Sequence, residues 1–304
     1  MKKIKLSLTG FLVASICLVT ANSKAQDSTA TAKEPVKIER VKRTFGGGLL
    51  IDNQTCMVPT RKTFEFMIQH RFGTTNNHYK DIYGLFAPAN IRLGLNYTPL
   101  ENLQVGLGLC KEKMQWDGNL KYALSKQAVK GGCPISVTLF GDMAIDTRPK
   151  EGNFADNMDR ISYFSQVIIA RKVTEHFSVQ FSPSLSYFNN VEGFQTSDGS
   201  IKPKMNNSHY AFALMGCYML TEKMGIIANY DQPVTEHMTN NPHPNISFGI
   251  QFVTTTHTFQ VFLGNYQSII PQSNNVYNQN DWTKGRYCIG FNITRRWYDF
   301  LMPK

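Results

Sequence analysis

The stretch Phe177-Ser178-Val179-Gln180-Phe181-Ser182-Pro183-Ser184-Leu185-Ser186-Tyr187 decides the fold. Phe177, Val179, Phe181, Leu185 and Tyr187 occupy one parity; Ser178, Gln180, Ser182, Ser184 and Ser186 occupy the other. Successive side chains of a β-strand point to opposite faces, so this stretch reads as a strand with one greasy face and one small polar face. The pattern repeats in both directions. Upstream, Phe64, Phe66, Ile68 and Phe72 oppose Glu65, Gln69 and Arg71, and Ile91, Leu93, Leu95 and Tyr97 oppose Asn90, Arg92, Gly94 and Asn96. Leu103 to Cys110, Asn119 to Ser125 and Ile135 to Phe140 alternate in the same way. Downstream, the same holds around Tyr210 to Tyr218, Ile226 to Tyr230, Ile246 to Phe252, Thr258 to Gly264 and Tyr287 to Thr294. Ile161 to Lys172 is the least regular segment, because Phe164 and Ile168 break parity around Gln166.

A soluble antiparallel sheet also alternates, with its apolar face on a core. Two features favour a membrane. The polar parity is poor in full charges and rich in Gly, Ser, Asn and Gln, as a confined bore requires. Aromatics gather at strand ends, at Tyr97, Tyr187, Tyr218, Tyr230, Tyr287 and Trp297, like the girdles of a bilayer interface. Connection lengths agree: long links near 73–89, 146–159, 189–207, 232–245 and 269–284 alternate with short ones at 98–102, 173–175, 221–223 and 254–256. The third link (Met114 to Trp116) and the fourth (Lys126 to Cys133) break that rule. The expected fold is all-β, an antiparallel up-and-down transmembrane β-barrel of about twelve strands over residues 63–304. Closure removes the exposed sheet edge. An even strand number puts both termini on the periplasmic side.

The N-terminus fits export. Lys2, Lys3 and Lys5 precede an apolar stretch from Leu6 to Val19, and Ser23-Lys24-Ala25 reads as a cleavage site, so residues 1–25 are expected to be a signal peptide. Removing its four lysines from the 32 basic residues leaves 28 against 22 acidic ones, a scattered net of +6. No basic run with interleaved aromatics suggests nucleic-acid binding. Residues 26–62 are expected to be a periplasmic segment: a polar linker, then Thr44 to Val58, which could tuck into the lumen as a plug. Gly46-Gly47-Gly48 lies in no GxxxxGK[ST] pattern and is expected to let the chain bend. Cys56, Cys110, Cys133, Cys217 and Cys288 form no CxxC or CxxH pattern. They read as small packing residues, with a Cys56–Cys133 bridge left open.

Several of these segments resemble a known family. Arg43-Thr44-Phe45, Glu65-Phe66, Gln69-His70-Arg71-Phe72-Gly73, Asn90-Ile91-Arg92-Leu93-Gly94-Leu95-Asn96-Tyr97 and Asp117-Gly118-Asn119-Leu120-Lys121-Tyr122 are similar to the opening of an uncharacterised β-barrel family common in Bacteroidetes. The resemblance runs from Arg43 to the C-terminus, and its motifs thin out after Pro134. It implies an outer-membrane-type barrel and carries over no catalytic residues.

The functional reading is a narrow channel or transport barrel in the cell outer membrane, with outer-membrane lipids around it and a small solute as cargo. By parity, Glu65, Arg71, Arg92, Lys121, Asp142, Asp231 and Arg296 project into the lumen, where charged rings tune selectivity. These charges could equally pair and fill it, leaving a non-conducting structural or adhesive barrel. A lipid hydrolase is a weaker alternative: His176-Phe177-Ser178 puts a base and a nucleophile on one face, but Ser178 points inward rather than at lipid. His78, His237 and His243, with Asp81, Glu236 and Asp281, fall in outer loops and match no metal-ligand spacing. No cofactor, metal or nucleic-acid partner is expected.

Overall fold

Twelve strands close into one antiparallel barrel. The computed structural model describes residues 38–152 and 154–299; the signal-peptide expectation over 1–25 and the first part of the linker lie outside them. In chain order the strands are β1 (Phe64–Thr74), β2 (Asn90–Leu100), β3 (Leu103–Cys110), β4 (Gln115–Ser125), β5 (Ser136–Asp146) and β6 (Ile161–Lys172). Then follow β7 (Phe177–Phe188), β8 (Ser208–Met219), β9 (Met224–Pro233), β10 (Asn245–Val253), β11 (His257–Gly264) and β12 (Cys288–Trp297). Each strand pairs with its neighbour in sequence. β12 closes on β1, with Trp297 opposite Phe64 and Asn292 opposite Gln69, and a register shift between Cys288 and Gly290. Closure gives every strand two partners, the arrangement hydrocarbon demands of backbone polar groups.

The burial pattern is the reverse of a soluble protein's. Leu107 is 65 % exposed and Val261 and Phe248 are each 56 % exposed, whereas Arg71, Thr138, Ser182 and Asp231 are fully buried. Monomeric soluble proteins rarely leave a contiguous apolar surface of this extent. The greasy parity therefore forms the outer wall and the polar parity the interior.

Two details explain the links that break the length alternation. β4 begins at Gln115, earlier than its alternation suggests, so the third link shrinks to a single 3-10 turn over Glu112–Met114. In the fourth link, Ala128–Lys130 pairs with Glu39–Arg40 as a small outlying ribbon, and this lengthens a turn that would otherwise be short. β5 also runs on to Asp146. The irregular β6 has a physical cause: Phe164 and Ile168 face inward, where they pack with Phe45, Leu50, Ile51, Cys56 and Phe262.

Cys56 and Cys133 are not bridged. Cys56 is buried inside the barrel, Cys133 is exposed in the fourth link, and both are free thiols. The chain does bend at the glycine triplet, though none of the three has a positive φ. A Cβ on Gly46 would lie 2.5 Å from Val253 Cγ2, and one on Gly47 would lie 2.3 Å from Arg296 Nη2. The bend also runs hard against the barrel wall, where a side chain would have no room.

Candidate functional site

Residues 44–58 lie within the barrel. Leu49–Leu50 pairs with Asn53–Gln54 in a minute hairpin, with Ile51 in the left-handed region at φ 58. That conformation is costly for a β-branched residue. It is held from both sides of its peptide: Gln260 Oε1 accepts from Ile51 N at 3.0 Å, while Arg71 Nη2 at 3.2 Å and Asn292 Nδ2 at 2.5 Å donate to Ile51 O. The rest of the segment hangs from other strands. Lys121 Nζ donates to Gly48 O at 2.8 Å, Gln260 Nε2 to Leu49 O at 3.1 Å and Gln180 Nε2 to Gln54 O at 2.8 Å. Thr138 Oγ1 donates to Cys56 O at 3.2 Å, and Asn53 Nδ2 donates to Asp231 Oδ1 at 2.7 Å. All of these are side-chain contacts to the wall; no strand of the barrel pairs with the segment as a ladder.

The seven inward charges named from parity are all buried in the structure. Near the end carrying the short turns, Arg296 Nε donates to Glu65 Oε1 at 2.7 Å and Gln104 Nε2 to Glu65 Oε2 at 2.6 Å. Further along, Arg71 also reaches Asn292 Oδ1 at 3.0 Å, with its guanidinium 4.5 Å from the centre of the Phe262 ring. Arg92 makes a two-pronged pair with Asp117 at 2.8 and 2.5 Å and donates to Gln69 Oε1 at 2.9 Å. Asp142 accepts from Gln272 Nε2 at 2.6 Å, and Asp231 also accepts from Asn229 at 2.7 Å. Such charge-assisted, two-pronged bonds are the geometry in which buried ions can be held.

Parity reading missed Asp117, Asp52 and Tyr266. Asp117 shares a face with Lys121, and starting β4 at Gln115 would have found it. The others belong to the inserted elements. The link after β11 folds back into the loop end, burying Tyr266, Ile269, Ile270, Gln272 and Asn274. Tyr266 donates to Asp52 Oδ1 at 2.7 Å and Asn274 also donates to Asp52. The inserted loop thus meets the inserted N-terminal segment at one carboxylate.

The six end aromatics divide between the two rims. Trp297 packs on Phe64 at 5.6 Å between ring centres, with Tyr97 opposite Phe64 and Tyr218 opposite Phe177, all at the turn end. Tyr187 lies 6.4 Å from Tyr163, and with Tyr230 and Tyr287 it marks the loop end. Ser178 is buried in the interior, and His176 Nδ1 bonds the Met219 carbonyl at 3.1 Å rather than Ser178. The loop histidines are dispersed. Asp81 instead ties its own loop, accepting from Asn77 and from Gly84 N, both at 2.9 Å. Among the described residues no three His, Cys, Asp or Glu gather as a metal site.

A family model described as "Membrane bound beta barrel domain (DUF5777)" matches residues 45–297. Among solved structures, the NanC porin is similar at 8 % identity, covering 76 % of this chain and 98 % of that one, with a TM-score of 0.47. The KdgM porin is similar at 8 % identity, covering 77 % and 98 %, with a TM-score of 0.45. An outer membrane channel from Pseudomonas putida F1 is similar at 12 % identity, covering 79 % and 97 %, with a TM-score of 0.44. No curated protein matches the chain.

Proposed function

The chain belongs to the DUF5777 family of membrane-bound beta barrel domains, and from that membership we propose that it is an outer-membrane transport barrel held shut by its own residues 44–58. Small polar solutes pass when that segment moves. The observation that carries this reading is how the segment is attached: by side-chain hydrogen bonds to the wall, each exchangeable for water, and by packing of Phe45, Leu50 and Ile51 against Phe164 and Ile168, rather than by strand pairing. A net hydrogen bond contributes about 0.5–1.5 kcal/mol, so a few at a time can open and close. The lining supports a polar cargo without strong charge preference, because Arg71, Arg92, Lys121 and Arg296 are matched by Glu65, Asp117, Asp142 and Asp231. Twelve strands enclose a bore between the packed interior of small barrels and the open channel of large ones. The outer membrane is the setting in which closed barrels of this kind span lipid, and its lipids would contact the apolar wall.

Conductance in planar bilayers tests this. The full chain should be closed most of the time, and a variant lacking residues 44–58 should give sustained steps. A deleted variant that still migrates as a folded barrel but stays silent would favour the other reading, a non-conducting structural barrel. That reading draws on the loop end, where the link after β11 also fills the bore, burying Tyr266, Ile269, Ile270, Gln272 and Asn274.

A further inference from the structure

At the loop end two cavities adjoin, one of about 440 Å³ and one of about 190 Å³. Tyr277, from the fold-back after β11, and Glu192, from the link after β7, stand in the walls of both. Every loop-end link except the first supplies a wall: Lys113 after β3, Arg148 after β5, Glu192 after β7, Thr239 after β9 and Tyr277 after β11. The larger cavity also touches the interior of the barrel, since Gln115 and Ser162 in its lining are buried inward residues of β4 and β6. Its volume falls within the roughly 300–1,000 Å³ of small-molecule sites.

We propose that these two cavities together bind an uncharged oligosaccharide. That the bound sugar is also the cargo rests on the transport reading. Unpaired polar atoms are the first reason. Gln115 is 5 % exposed, and its Oε1 has no hydrogen-bond partner among the described residues. The same holds for His237 Nε2 and Thr239 Oγ1, both buried atoms of residues lining the smaller cavity. Buried polar atoms of native proteins are nearly always paired. Gln115 Oε1 can only accept, whereas a hydroxyl can donate or accept, so a ligand with hydroxyl groups along its length matches all three atoms. Water serves such atoms in solution, and ligand hydroxyls that take its place keep the bonds. Because the three atoms are divided between the two cavities, with Tyr277 in the walls of both, a chain of sugar units fits better than a single ring.

The ions of the lining argue for an uncharged ligand, because each already has a partner. Arg148 holds Asp146 at 2.7 and 3.0 Å, and Lys204 meets Glu192 at 2.8 Å. Asp159 Oδ2 accepts from the Ala155 and Asp156 amides at 3.0 and 2.9 Å. Arg160 Nη1 donates to the Asp146 and Arg148 carbonyls at 3.0 and 2.6 Å, and the Lys113 ammonium stands 4.5 Å from the centre of the Tyr277 ring. A charged ligand would have to break one of these pairs or be buried without a counter-ion, and both are costly. A hydroxyl requires neither, since paired carboxylates and guanidinium groups keep spare lone pairs and N–H groups. Phe188, edge-on to Tyr277 with ring centres 5.6 Å apart, adds apolar surface to this polar lining, as does Phe154. Aromatic walls with a few placed polar groups are the usual make-up of a ligand site, and they suit the C–H faces of a pyranose between its hydroxyls.

The test uses the full chain in lauryl dimethylamine oxide, a detergent without a sugar headgroup, titrated calorimetrically with di- to tetrasaccharides of glucose, galactose, mannose and xylose. Digalacturonate is the charged comparison. The expected result is saturable binding of at least one neutral sugar, tighter than that of digalacturonate. Gln115→Met and Thr239→Val keep the side-chain shape and remove one unpaired atom each, so each should weaken binding by about fivefold or more. Neither should lower the thermal unfolding midpoint, because replacing an unpaired buried polar atom by an apolar one relieves a desolvation cost; a purely structural role for these side chains would lower the midpoint and leave affinity unchanged. Asn77→Ala, in the first loop-end link, should leave affinity unchanged. No neutral sugar bound at millimolar concentration, tighter binding of digalacturonate, or unchanged affinity in either variant would overturn the assignment. Bilayer conductance is a separate readout: absence of sugar binding leaves a conducting barrel standing, and silence of the variant lacking residues 44–58 leaves a sugar site standing.

Discussion

Arg92 shows what an inward charge requires in this barrel. Its guanidinium and the Asp117 carboxylate are both buried, and each satisfies the other along two prongs. Removing one member leaves an uncompensated buried ion, which typically costs about 3–5 kcal/mol, whereas removing both costs far less. Arg92→Met should therefore lower the thermal unfolding midpoint in micelles sharply, and Arg92→Met with Asp117→Asn should recover most of the loss. Thiol chemistry gives a second prediction at this scale. Of the five cysteines in the described residues, only Cys133 is exposed, and a hydrogen bond with Ser125 holds its thiol below the usual range. Maleimide on the folded protein should label Cys133 and leave Cys56, Cys110, Cys217 and Cys288 unmodified by mass. A third concerns Asp198 in the loop ribbon between Gly193–Gln195 and Ile201–Pro203. Hydrogen bonds from Thr196 and Ser200 bring its carboxyl down from 3.8 to about 2. A lowered folded value means that its contribution to loop order is complete above pH 3.8 and is lost as pH falls towards 2. The Asp198 carboxyl resonance should titrate with a midpoint near 2. Parity was enough to name Glu65, Arg71 and Lys121 as inward residues. It could not rank Phe164 or Ile168, because an apolar side chain facing inward is explained only by the inserted segment it packs against.

Among the elements, the inserted segment carries the account. Gly46, Gly47 and Gly48 bring its backbone against Val253, Arg296 and Lys121. Gly46→Val puts a branched side chain where a Cβ would already lie 2.5 Å from Val253 Cγ2. Overpacking of this kind costs about 1–3 kcal/mol, and the segment can escape it by leaving the wall. The variant should keep its barrel circular dichroism and heat-modifiable mobility while Cys56 becomes reactive to maleimide. A variant with Cys56 still protected would mean that the segment is fixed by more than these contacts. The strands themselves were readable, since their period of two is imposed by having lipid on one side and polar groups on the other. The fold-back of Tyr266–Asn278 was not. Its Ser, Asn and Gln content is that of a solvated loop, broken by Ile269-Ile270 and Val276-Tyr277. The ribbon between Glu39–Arg40 and Ala128–Lys130 was equally hidden, because strands of two and three residues leave no periodic trace.

Taken whole, the molecule is organised by an inversion: polar groups are buried and satisfied by one another, and large apolar side chains such as Leu107, Val261 and Phe248 stand exposed around the circumference. In water this surface would drive association; in hydrocarbon it is the stable arrangement. Paramagnetic accessibility of nitroxide labels placed one at a time at Leu107 and Val261, in the Cys133→Ser protein reconstituted into lipid vesicles, tests that inversion most directly. The account predicts strong collision with dissolved oxygen and almost none with a water-soluble nickel chelate at both positions. Strong collision with the chelate at Leu107 and Val261 would contradict it.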